Sequence, residues 1–94
     1  MKFSKTWLKK TLKDDKLNFI YQNIKNLKNI EILEFGVRSG VSTNMYLNLC
    51  EMNKGKLLSV DVDDCSHLFH NKKWKFLHCR DDNFKLITKN IKKP

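Results

Sequence analysis

The sequence predicts an α/β fold: a parallel sheet with helices packed on its faces. Short apolar runs alternate with segments of helical spacing, the first run ends in glycine and the next two in aspartates, and the one proline stands at position 94. Alternation of this kind is the mark of strands joined by helical crossovers. With 94 residues the chain is one small domain with a modest core.

Trp7, Leu8 and Leu12 among lysines predict a short amphipathic helix over residues 4–13. Asp14 and Asp15 break that pattern and are placed to cap the next helix, in which Leu17, Ile20, Tyr21, Ile24 and Leu27 form one apolar stripe. Ile30, Ile32, Leu33 and Phe35 then read as a buried strand stopped by a glycine turn at Gly36. Helical spacing returns after Gly40, with Val41, Met45, Leu49 and Met52 on one side and Gly55 at the C-cap. Leu57, Leu58, Val60 and Val62 make a second strand, closed by Asp61, Asp63 and Asp64. Residues 65–73 are polar and form a short helix or a loop. Trp74, Phe76 and Leu77 begin a third strand ending at Asp81 and Asp82, and a last helix runs through Phe84, Ile87 and Ile91.

Composition narrows the function. A hydrophobic fraction of 40% with six Phe is that of a globular chain, not a disordered tail. The net charge of +9 comes from lysines spread along the whole chain, so a nucleic-acid-binding module is only a subordinate reading. Cys50, Cys65 and Cys79 are odd in number and lack CxxC spacing, which implies reduced thiols rather than a disulfide framework. The N-terminus MKFSKTWLKK has no apolar run of signal-peptide length, and nothing approaches a membrane span, so the expected setting is the cytoplasm. Cys65, His67, His70, His78 and Cys79 fit no common zinc-site spacing, and no metal is expected. Trp7 and Trp74 read as packing residues.

Three chemical features fall at strand ends, where open α/β sheets place their ligands. The first is Glu34-Phe35-Gly36-Val37-Arg38-Ser39-Gly40-Val41-Ser42-Thr43. Its glycines let the backbone turn sharply and approach a ligand, while the following helix aims free N–H groups at the same spot, suiting a carboxylate or phosphate. Ser42 is placed to satisfy one of those N–H groups. The second is Asp61, with Val62 beside it, at the spacing of a carboxylate that grips ribose hydroxyls. The third is the pair Asp81 and Asp82, either of which suits an exocyclic adenine amino group.

Glu34-x-Gly36-x-x-x-Gly40 resembles the first motif of class I S-adenosylmethionine-dependent methyltransferases, and Val41-Ser42-Thr43 is similar to a branch whose loop reads G-x-x-x-G-x-S-T. The likeness covers roughly residues 30–84. It implies a Rossmann-like three-layer sandwich truncated to about three parallel strands in the order 3-2-1, with residues 1–29 as an N-terminal helical segment and 30–94 as a partial cofactor-binding domain. It also implies S-adenosyl-L-methionine as cofactor: its methionine part at the loop, its amino end ordered by Glu34, its ribose at Asp61 and its adenine at Asp81 or Asp82. Many members carry glycine where Arg38 stands. Strand one would be a bare edge, and the family's acceptor site has no counterpart here, so the resemblance implies a fragment, a split assembly or an oligomer and names no catalytic residue or methyl acceptor. The rival reading is a Rossmann-like piece for NAD or another adenosine ligand, opposed by Arg38 at the second glycine of G-x-G-x-x-G.

Overall fold

The computed structural model describes residues 4–91. In chain order its elements are α1 (Lys5–Thr11), α2 (Asp15–Ile24), β1 (Glu31–Phe35), α3 (Val41–Asn53), β2 (Lys56–Asp61), β3 (Trp74–His78) and α4 (Phe84–Ile91). The strands form one sheet in the order β1-β2-β3, with both pairs parallel. The α/β alternation and the strand order are therefore those expected. Among the described residues no helix is long and apolar enough to cross a membrane.

Ladder partners share a face of the sheet. Ile32, Leu57 and Trp74 stand side by side on one face, where they meet Leu47 and Cys50 of α3 and Phe69 of the loop before β3. Full burial of a side chain such as Leu47 or Leu57 stabilises by about 1.5–3 kcal/mol. Phe69 joins the aromatics: it stacks on Trp7 of α1 at 6.5 Å and meets Trp74 edge-on at 5.5 Å. Both tryptophans thus pack. Phe69 also explains why residues 65–73 are turns rather than a helix, because its buried ring holds the segment down.

Helix α3 buries more than one stripe. Thr43, Asn44, Met45, Leu47, Asn48, Leu49 and Cys50 are all buried, while Met52 is 58% exposed, contrary to the single apolar side read from spacing. The cause is α1, which packs against α3 away from the sheet. Asn44 and Asn48 face it: Asn44 Oδ1 accepts from the Ser4 N–H at 2.6 Å, and both amide groups donate to the Ser4 carbonyl. Buried amides are tolerated because they are bonded. By contrast α2 buries no residue, and its stripe stops at Ile24, leaving Leu27 51% exposed.

Two further expectations are corrected. The left-handed residue ending α3 is Lys54, at φ +57°, not Gly55. Gly55 is needed for space, since a Cβ there would lie 2.7 Å from the Ile30 carbonyl oxygen. Strand β1 is not buried: of its five residues only Glu34 is, and Leu33 and Phe35 are exposed. It is the sheet's edge.

Candidate functional site

The carboxyl ends of β1 and β2 meet at the turn into α3. Gly36 (φ +87°) and Gly40 (φ +91°) are both left-handed, the region where glycine is free of the Cβ penalty. A Cβ on Gly40 would also stand 2.9 Å from the Phe69 ring, whereas one on Gly36 would meet nothing within 4 Å, because Gly36 borders open space. Arg38 is left-handed too, at φ +54°, with its side chain exposed. The backbone here is thus of the kind glycine favours.

Asp61, the last residue of β2, fastens this turn. Its Oδ2 accepts from the N–H of Val37 at 2.7 Å and of Arg38 at 3.1 Å, while Oδ1 accepts from the N–H of Asp63 at 2.9 Å. These N–H donors, that of Asp63 foremost, hold the carboxyl down to about 2 against partial desolvation. Acid and glycine turn therefore lie on the same side of the sheet. Much of the acceptor capacity of Asp61 is spent on the loop, and the Oδ1 side is the freer one. Cys65 Sγ reaches the Arg38 carbonyl at 3.7 Å and pins the turn from beneath.

Glu34 is buried and faces away from this opening. Its Oε1 accepts from Thr43 Oγ1 at 2.7 Å and Ser59 Oγ at 2.8 Å, and its Oε2 accepts from Ser42 Oγ at 2.5 Å. Ser59 in turn accepts from Trp74 Nε1 at 2.9 Å. A buried carboxylate needs such donors, so Ser42 and Thr43 lock β1 to α3 through it. The Ser42 hydroxyl therefore serves Glu34, not the helix N–H it was expected to satisfy. Gly40 is the N-cap of α3 and supplies no side-chain cap.

A cleft of about 540 Å³ opens above the strand ends, lined by Phe35, Gly36, Arg38, Val60, Asp61, Val62, Asp63 and Asp81. Of the residues singled out from sequence, Gly36, Arg38, Asp61, Val62 and Asp81 line it. Val37 is buried beside it and Ser39 is exposed on the turn, while Glu34, Gly40, Ser42 and Thr43 shape the loop without lining the cleft. Asp82 is turned away, in a two-point pair with Arg80 at 3.1 and 3.0 Å. Of the two, only Asp81 lines the cleft. Phe35, Val60 and Asp63 were missed. Asp63 was discoverable, since it stands two residues past Asp61 in an acidic strand end.

The volume lies in the range of small-molecule sites. The amino end of α3 is uncapped by any side chain but does not line the cleft. Asp61, Asp63 and Asp81 gather acceptors for hydroxyl and amino donors. Fold and site together define an α/β chain with an acidic cleft at the carboxyl ends of its strands. Neither a protein-family model, nor a curated protein, nor a solved structure matches the chain.

Proposed function

We propose that the chain binds S-adenosyl-L-methionine in this cleft, as the cofactor-binding portion of a class I methyltransferase. The carrying observation is the bonding of the Asp61 carboxylate to the N–H groups of Val37 and Arg38, which joins the glycine turn and the acidic strand ends into one opening. In this reading the methionine part lies along the glycine turn, at Gly36 and Arg38. The ribose diol donates to Asp61 Oδ1 and Asp63, and the adenine amino group donates to Asp81. Bound there, the cofactor supplies a methyl group that passes from its sulfonium to a nucleophile of the acceptor, and positioning contributes most of the acceleration.

Calorimetry tests the reading. S-adenosylmethionine and S-adenosylhomocysteine are expected to bind and NAD not to, because the left-handed Arg38 keeps a pyrophosphate from the backbone. Asp81→Ala is expected to weaken binding about tenfold or more, the loss of a good polar contact. Asp82→Ala is expected to leave it unchanged. Binding of NAD in preference, or equal effects of the two substitutions, refutes the proposal.

A further inference from the structure

The sheet carries a second hollow, at the amino ends of its strands and on the face opposite α3. Register sets Leu33 beside Leu58 and Leu58 beside Lys75, so the three share that face. With Ile91 at the last turn of α4, and with Lys56 and Lys72, they line a groove of about 880 Å³. Its floor is apolar and open, since Leu33 is 38% and Ile91 48% exposed. Its rim carries Lys56, Lys72 and Lys75 against one acid, Glu31, and a further lining lysine, Lys73, is paired with Glu51 at 3.0 Å.

The charges of the molecule are polarised. Asp61, Asp63, Asp64, Asp81 and Asp82 crowd the carboxyl ends of β2 and β3, while at the amino ends Lys56, Lys72, Lys73 and Lys75 outnumber Glu31 and Glu51, in a chain of net charge +9. An acidic partner is repelled from the cofactor cleft and drawn to the groove. Phosphates would satisfy the lysines but leave Leu33, Leu58 and Ile91 without partners, and the groove offers no aromatic platform for bases. A helix with an apolar stripe and carboxylates along its margins satisfies floor and rim together.

We propose that this groove docks an amphipathic helix of a partner protein whose polar margins carry Asp and Glu. The proposal is independent of the cofactor reading and concerns the opposite end of the sheet. The probe is a synthetic peptide of about 14 residues, roughly four helical turns, with Leu at i, i+3, i+4 and i+7 and Glu elsewhere. It is titrated into the isotope-labelled full chain, beside a scrambled isomer and a single-stranded uridine oligonucleotide of the same length.

The patterned peptide is expected to shift the amide signals of Leu33, Leu58 and Lys75, and to bind about tenfold tighter than its isomer. Lys56→Glu with Lys75→Glu is expected to weaken it by about tenfold or more, as is Leu33→Asp. Lys9→Glu with Lys10→Glu, the same charge change on exposed positions of α1, leaves it within about twofold. Circular dichroism confirms that each variant is folded. Equal binding of peptide and isomer, tighter binding of the oligonucleotide at the same residues, shifts confined to the cleft, or no binding would each overturn the proposal.

Discussion

Replacing Asp61 with Asn probes the fastening of the glycine turn directly. The carboxylate accepts three backbone N–H groups on its two oxygens. An amide presents one oxygen, so at least one donor must face an NH2 group. Depression of the carboxyl from 3.8 to about 2 corresponds to about 2 kcal/mol favouring the charged form in the folded chain. The orphaned donor adds about 1 kcal/mol, so Asp61→Asn is expected to lose about 2–3 kcal/mol at neutral pH. In a domain of this size that lowers Tm by about 10–20 °C. The sign of the pH dependence follows from a lowered folded-state pKa. The stabilisation is complete above the unfolded value near 3.8 and fades as pH falls towards about 2. Urea unfolding of both proteins, followed by tryptophan fluorescence from neutral pH to about pH 2, isolates this group from the other acids. A difference below about 0.5 kcal/mol at neutral pH, or one that does not shrink on acidification below about pH 4, refutes the reasoning.

Three other outcomes follow from particular contacts. Lys54→Gly at the left-handed C-cap of α3 is expected to stabilise by about 0.5–1 kcal/mol, seen as a raised urea midpoint at unchanged slope. Gly40→Ala combines positive φ with a Cβ pressed to 2.9 Å from Phe69, and is expected to destabilise by about 1–3 kcal/mol in the same assay. Burial pushes the Cys50 thiol up to about 11 and raises that of Cys65, so brief iodoacetamide treatment at mildly alkaline pH is expected to leave both unmodified by mass spectrometry.

Much of the fold was legible in the sequence because α/β crossovers leave a strong periodic trace. The runs through Leu57, Leu58 and Val60 and through Trp74, Phe76 and Leu77 each bounded a strand, and the parallel order followed from their alternation with helices. What stayed illegible depended on which neighbour covers which face. The polar stripe of Asn44 and Asn48 on α3 is buried only because α1 lies there, and periodicity carries no record of that partner. The site divided the same way. Local spacing located Gly36, Gly40 and Asp61, but Glu34 took three hydroxyl partners, one of them Ser59, 25 residues away. Asp81 and Asp82 were separable only by the turn that sends Asp82 to Arg80.

The turn above the sheet holds one strained residue, and the fastening beside it is of matching size. Gly36 and Gly40 adopt left-handed backbone freely, but at Arg38 the same conformation costs about 1–2 kcal/mol. The Asp61 carboxylate takes the Arg38 N–H as one of three backbone donors, that of Asp63 foremost, which together favour its charged form by about 2 kcal/mol, so fastening and strain are of the same order. Arg38→Gly keeps the N–H and removes the strain, at the cost of about 0.5–1 kcal/mol of added freedom in the unfolded chain. The net gain is about 0.5–1 kcal/mol, and it is expected equally in the Asp61→Asn background, because strain and fastening act through different atoms. Urea unfolding of the two single variants and the double variant decides. A loss of stability in Arg38→Gly, or a gain that vanishes without the carboxylate, would show that the guanidinium rather than the backbone sets the conformation of the turn.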